Sequence, residues 1–211
     1  MVPPHSDINQ MLDRQIINRG IDDPRVIEAL KHVPRHLFVD EDLQDMAYSD
    51  TPLPIGCGQT ISQPYIVAYM TWLAQVEPEE TVLEIGLGSG YQAAVLAQLA
   101  KHVYSIEIIE ALYKKATQRL HQAGYQNVTT LHGDGSHGWP AAAPYDVILA
   151  TAAPRQEIPA ALTSQLKPHG RLILPVGHAL QYIYRITRHD NHLRQERLLP
   201  VRFVPMTGDA A

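Results

Sequence analysis

Residues 84–90 read Glu-Ile-Gly-Leu-Gly-Ser-Gly, directly after a short apolar run and before an alanine-rich one. Glycines in such a place let the backbone turn sharply and approach a ligand with no side chain in the way. Glu84, Gly86, Gly88 and Gly90 are therefore candidate binding residues. A dinucleotide fingerprint, G-x-G-x-x-G, would need glycine at position 91, where this chain has Tyr91. The observed G-x-G-x-G suits a ligand with no pyrophosphate to be held at a helix N-terminus, such as S-adenosylmethionine. Two carboxylates follow at suitable places. Glu107 closes the next apolar run, where it can accept from both hydroxyls of a ribose, and Asp134-Gly135 follows the third, where a carboxylate can accept from an adenine amino group. Taken singly, the glycine turn could be a tight connection and Glu107 a solvated strand end; their joint order is what points to a nucleoside ligand.

These residues need a scaffold that brings strand ends together. Apolar runs at Thr81 to Ile85, His102 to Ile106, Val128 to Leu131, Tyr145 to Thr151 and Arg171 to Val176 read as strands. They alternate with helical patterns at Tyr91 to Leu99, Ile109 to Ala123 and Pro159 to Leu166. Such alternation predicts an α/β fold, a doubly wound, mostly parallel sheet with helices on both faces. Tyr182 to Arg188 and Leu198 to Val204 read as terminal strands with room for an antiparallel pair. Ahead of the sheet lies a helical extension: Ile8 to Asn18, stopped by Gly20, and a second helix opened by Asp23-Pro24. Tyr48 to Gln63, rich in Pro and Gly, reads as a long ordered loop, and Pro64 to Gln75 as the helix after it. The expected organisation is one domain: residues 1–78 a helical cap and active-site loop, 79–177 a ligand-binding core, 178–211 terminal strands.

Composition excludes several classes. The 211 residues carry a net charge of −5 and no dense Lys/Arg run, which argues against a nucleic-acid partner held by phosphate neutralisation. No apolar run is long enough to span a bilayer, and the first ten residues do not resemble a secretory signal, so no membrane is expected and a cytoplasmic monomer is. Cys57 is the single cysteine, which rules out an internal disulfide. Among the eleven histidines there is no H-E-x-x-H, and Pro34 between His32 and His36 spoils a helical two-histidine face, so no metal site is expected. Met70 and Trp72 read as packing residues, and Asp146 as support for the entry of the fourth strand.

Upstream of the glycine loop, residues 52–68 read Pro-Leu-Pro-Ile-Gly-Cys-Gly-Gln-Thr-Ile-Ser-Gln-Pro-Tyr-Ile-Val-Ala. This stretch closely resembles the loop ahead of the glycine motif in protein-L-isoaspartate O-methyltransferases. The resemblance continues through residues 33–39, 82–86 and 88–97, and returns at 166–168, 170–172, 175–177 and 200–205. It implies a class I methyltransferase (Rossmann-like) fold, S-adenosylmethionine as donor, and the α-carboxylate of an L-isoaspartyl residue in a protein or peptide as acceptor. It also implies that Ser62 is the active-site residue and that Gln59, Thr60, Ile61 and Ser62 border the donor. Leu87, Cys57 and His169 depart from the family's usual pattern; Leu87 could narrow the donor pocket and His169 could alter a turn.

An α-carboxyl has a pKa of about 3.3–3.7, so this acceptor is already an anion and needs no strong base. The absence of a nucleophile–base pair fits that chemistry. As an isolated residue, Ser62 reads as the cap of the helix beginning near Pro64; the resemblance assigns its hydroxyl to orienting the acceptor. Val201 to Met206 could pair with an extended peptide or be an ordinary terminal strand. Three alternatives stay open at this point: a methyltransferase with another acceptor, a nicotinamide-dependent oxidoreductase, and a non-catalytic module of the same fold.

Overall fold

The computed structural model describes residues 4–190 and 192–209. Helix α1 (Pro4–Met11) runs on through a π turn and a 3-10 turn to Arg19, and Gly20, at φ +91°, ends it. In α2 (Pro24–His32) the Asp23 carboxylate accepts from Arg25 N at 2.8 Å, capping a first turn that proline already presets.

The segment expected as a loop contains a small hairpin. Strands β1 (Leu53–Gly56) and β2 (Gln59–Ile61) pair antiparallel, with Gly56 opposite Gln59. Cys57 and Gly58 form the turn, both at positive φ (+52° and +70°), a sign pattern that matches the twist of a two-residue hairpin. Leu53, Ile55 and Ile61 are buried, so the hairpin lies on the core. Helix α3 (Pro64–Ala74) follows directly.

The main sheet has seven strands in the order β5-β4-β3-β6-β7-β8-β9, with β3 (Thr81–Ile85), β4 (His102–Glu107), β5 (Val128–His132), β6 (Tyr145–Ala150), β7 (Leu166–Val176), β8 (Gln181–Arg188) and β9 (Leu193–Val201). The first five are mutually parallel; β8 runs antiparallel to both β7 and β9. Strand order reverses between β3 and β6, and that crevice is where an open α/β sheet takes its ligand. Successive residues of the central strands serve opposite faces. Val82, Val147 and Ile173 pack into one core with α2, α3, α4 (Tyr91–Ala97) and α5 (Glu110–Gln122), while Leu83, Ile148 and Leu172 pack into a second with α6 (Ala160–Ser164). Asp146 accepts from Thr81 N at 2.9 Å and from Lys167 Nζ at 2.8 Å, tying β6 to β3 and β7 where the strands begin.

Two boundaries differ from expectation. The helix expected over Pro159 to Leu166 is only five residues, and β7 starts at Leu166, opposite Tyr145. Four residues then bulge out before Arg171 rejoins the ladder opposite Val147, and His169 takes a left-handed conformation, φ +64°, at the bend. The last strand is Leu193–Val201, not Leu198 to Val204: it is a mostly exposed sheet edge, so its residues lack the alternation that marks a half-buried strand.

Candidate active site

The glycine loop is built by three contacts. Gly86, at φ +93°, lies so close to Thr151 that an added Cβ would stand 2.5 Å from its Oγ1. That hydroxyl donates to Gly86 O at 2.7 Å, locking the end of β6 onto the loop. Gly88 N donates to Glu107 Oε2 at 2.8 Å, and Ile109 N donates to Glu107 Oε1 at 2.9 Å. Gly90, at φ +89°, begins α4 against Leu120 and Ala116 of α5, where a side chain would be squeezed.

A cleft opens beside this loop. Gln59, Thr60, Gly86, Gly88, Glu107 and Gly135 line it, together with Ile106, Ile108, Leu112, Thr151 and Met206. Among the described residues its one charged lining residue is the Glu107 carboxylate, and no Lys or Arg borders it. Gly135 has to be glycine at this packing, since a Cβ there would meet Ile85 Cγ2 at 2.4 Å. A second cleft of about 600 Å³ adjoins the first and is lined by Ser62, Gln63, Tyr65, Arg19 and the segment running from Leu199 to Val204. Thr60, Thr151 and Val204 line both, so the two clefts meet at these three residues.

Ser62 is half-buried, and its hydroxyl makes no hydrogen bond among the described residues. The cap of α3 is Gln63, without a side-chain bond, so the helix-cap alternative for Ser62 is not what is seen. Ile61 is buried in the core beneath the hairpin.

Glu84 and Asp134 stand apart from the first cleft's lining. Glu84 is fully buried behind the loop, where Ser105 Oγ donates to it, and burial raises its pKa to about 8. Asp134 accepts from Ser136 N and from Asp209 N, each at 2.8 Å. Partial burial opposes ionisation there, but these bonds hold its pKa below the usual carboxylate value. Its carboxylate thus anchors the C-terminal segment, which also bonds through Val204 O and Met206 N to Ala153 and lays Met206 over the cleft.

A model of the family described as protein-L-isoaspartate(D-aspartate) O-methyltransferase matches residues 6–211. The chain belongs to that family. It is 52% identical to the protein-L-isoaspartate O-methyltransferase of Synechococcus sp. (strain JA-2-3B'a(2-13)), over 97% of this chain and 86% of that one. It is 53% identical to that of Protochlamydia amoebophila, over 94% and 95%. A solved protein-L-isoaspartate O-methyltransferase superposes with TM-score 0.88 at 27% identity, covering 99% of this chain and 67% of that one. A Plasmodium falciparum structure assigned to the same activity, in complex with S-adenosyl-L-homocysteine, shares the fold with TM-score 0.83 at 24% identity over 98% and 99%.

Within the family frame, the three departures have distinct settings. Leu87 is buried in the core and does not line the cleft beside the glycine loop, so its side chain does not narrow that cleft. Cys57 is exposed at the hairpin turn. His169 occupies a backbone conformation that glycine adopts at no steric cost, which is a physical reason for glycine at that position. Sequence reasoning missed Thr151, whose signal was its place at the carboxyl end of the strand beyond the order reversal. Val204 and Met206 lie in the segment read as a possible peptide edge, and the chain's return over the sheet brings them to the glycine-loop cleft as well, which the sequence did not indicate.

Proposed function

We propose that the two clefts divide the work of a repair methyltransferase, the first holding the donor and the second the isoaspartyl acceptor. The enzyme is an S-adenosylmethionine-dependent protein carboxyl methyltransferase. Its acceptor is the free α-carboxylate of L-isoaspartyl residues, and its product is a methyl ester. The ester can expel methanol where the carboxylate would have to expel oxide, so the neighbouring backbone nitrogen attacks the acyl carbon and closes a succinimide, whose hydrolysis returns part of the material to normal aspartate. The observation that carries the division of roles is the meeting of the clefts at Thr60, Thr151 and Val204, with Glu107 on one side and Ser62 on the other.

The residues of the first cleft suit S-adenosylmethionine. A lining without Lys or Arg has no side-chain cation to repel a sulfonium, and glycines 86, 88 and 135 keep the floor open to a nucleoside. When bound there, the donor supplies an electrophilic methyl group. Glu107 is assigned to the ribose hydroxyls, with Gly86 and Gly88 against the donor. Gln59 and Thr60 border the donor, Thr60 facing both clefts, and Ile61, buried beneath the hairpin, holds that stretch in place. Gly135, through its backbone, borders the adenine end, with Asp134 holding that turn in shape. Glu84 and Gly90 act from behind, by fixing the strand end and the start of α4.

Ser62 is assigned to the acceptor carboxylate. Transfer needs an oxygen held in line with the methyl–sulfur bond and shielded from water, which is positioning rather than proton transfer. A neutral hydroxyl can orient the anion without stabilising its ground state as strongly as Lys or Arg would. Val201 to Val204 border the acceptor cleft, and this segment is assigned to contact with the peptide backbone. We place the enzyme in the cytoplasm as a monomer; no helix among the described residues is long and apolar enough to cross a membrane. The test is incubation with methyl-labelled donor and matched Asp and isoAsp peptides. Base-volatile label should accumulate with isoAsp alone; equal labelling of both peptides, or of neither, overturns the reading.

A further inference from the structure

Behind the segment Val201–Pro205 lies another cleft, of about 530 Å³, bordered by Arg155, His178, Gln181, Arg202 and Pro205. Val201, Arg202 and Phe203 line both this cleft and the one containing Ser62, so the two are separated only by that strip of chain. The strip is firmly held. The side-chain amide of Gln181 bonds to both backbone groups of Phe203, donating to its carbonyl at 3.2 Å and accepting from its N–H at 2.5 Å. Arg202, next in line, is thereby fixed at the divide.

The charge here runs against that of the whole chain. Acidic residues outnumber basic ones by 22 to 17, yet among the described residues no carboxylate borders either cleft. Five arginines face a carboxylate, Arg19 at the rim of the Ser62 cleft and Arg25, Arg171, Arg185 and Arg194 elsewhere, and Arg35, Arg119 and Arg188 donate to backbone carbonyls. Arg155 and Arg202 are exposed and make no ion pair or side-chain hydrogen bond among the described residues. Two unmatched guanidinium groups and a histidine around one cleft form a site complementary to carboxylates.

We propose that this cleft is a second peptide subsite, which takes an acidic side chain near the isoaspartyl residue, with Arg155 and Arg202 as its specificity-determining cations. The inference rests on the reading of the Ser62 cleft as the acceptor site. A peptide with its isoaspartyl group beside Ser62 leaves that cleft across Arg202, and an extended chain advances about 3.3 Å per residue. Residues close to the isoaspartate thus come to lie along Arg202 and Arg155. Damaged sites in acidic segments are then the preferred substrates.

The experiment compares isoaspartyl peptides of one length carrying Glu, Gln or Lys at the positions flanking the isoaspartate, on either side, at low and physiological ionic strength. For the parent enzyme kcat/KM should rank Glu over Gln over Lys, by about three- to ten-fold per step at low salt, narrowing as salt screens the pairing. Arg155→Gln should lose the advantage of Glu while leaving the Gln peptide's rate unchanged, and Arg155→Glu should turn the preference towards Lys. Equal rates for Glu and Gln peptides with the parent, or an unaltered ranking in folded Arg155→Glu, would overturn the subsite. Failure of the folded parent to methylate the Gln peptide at all would instead overturn the acceptor-site reading beneath it.

Discussion

Gly88 N donates to Glu107 Oε2 at 2.8 Å, so the carboxylate at the end of β4 shapes the glycine loop that follows β3. The other oxygen of Glu107 accepts from Ile109 N at 2.9 Å, which sets the start of α5. Glu107→Gln would turn an amide NH2 towards one of these N–H donors and leave it unmet. Loss of a hydrogen bond to a charged group costs about 1.5–3 kcal/mol. Affinity for S-adenosylhomocysteine should therefore fall by roughly ten- to a hundred-fold. Calorimetric titration checks this, and undiminished binding would remove Glu107 from the donor site.

Ser62 offers a different separation. Ser62 lines the second cleft and its side chain takes no part in capping α3, so removal of its hydroxyl should leave the helix and the glycine-loop cleft as they are. Ser62→Ala is expected to lower kcat on an isoaspartyl peptide by about 10²-fold, the scale for losing one donor that orients a reacting oxygen. S-adenosylhomocysteine should bind as before. Ser62→Thr, which keeps the hydroxyl, should restore part of the rate. An Ala variant with the parent's turnover would assign orientation of the carboxylate to other groups.

The contrast between these two residues shows what can be read from a linear chain. Glu107 stands at the end of an apolar run at a fixed distance from a glycine motif, and local patterning suffices to find it. The parallel sheet was legible for the same reason, because strands buried on both faces are continuous apolar runs. The hairpin at residues 53–61 was not: its turn is Cys57-Gly58, without the Asn-Gly or Asp-Gly signal, and its burial on the core through Leu53, Ile55 and Ile61 is a tertiary contact. Thr151 and Met206 became site residues through long-range packing that periodicity does not encode. Asp134 illustrates a related difficulty. Its type and spacing fit a ligand contact, but Asp209, 75 residues further on, takes one of its oxygens.

His169 bears a backbone cost that can be relieved. At φ +64° a residue with a Cβ is strained, and His169 holds that conformation within the bulge between Leu166 and Arg171. His169→Gly should stabilise the protein by about 0.5–1 kcal/mol, partly offset by the greater freedom of glycine in the unfolded chain. That corresponds to a rise in melting temperature of roughly 1–4 °C for a chain of this size. His169 lines neither cleft of the active site, so kcat/KM on isoaspartyl peptides should be unchanged. A lower melting temperature would show that the histidine ring, which lies edge-on to His189 at 6.2 Å, contributes more than the strain removes.

Glu84 makes stability depend on pH in a direction opposite to that of most carboxylates. Burial is the main cause of its raised pKa, Ser105's hydrogen bond opposes the shift, and the charge of Glu107 adds to it, with the outcome at about 8 against a reference of 4.5. Between those values the folded protein holds a proton that the unfolded chain releases. Unfolding therefore loses protons, and stability falls as pH rises through that window, by up to about 1.4 kcal/mol per pH unit from this group. Glu84→Gln keeps the shape of the protonated side chain and an oxygen for Ser105, and removes the titration. Urea unfolding of both proteins across pH 5–9 should show the Gln variant gaining on the parent as pH increases, with the difference levelling off above pH 8. A constant difference over that range would mean that Glu84 has the same proton affinity in the folded and unfolded chains, and that its burial is compensated by a partner other than a proton.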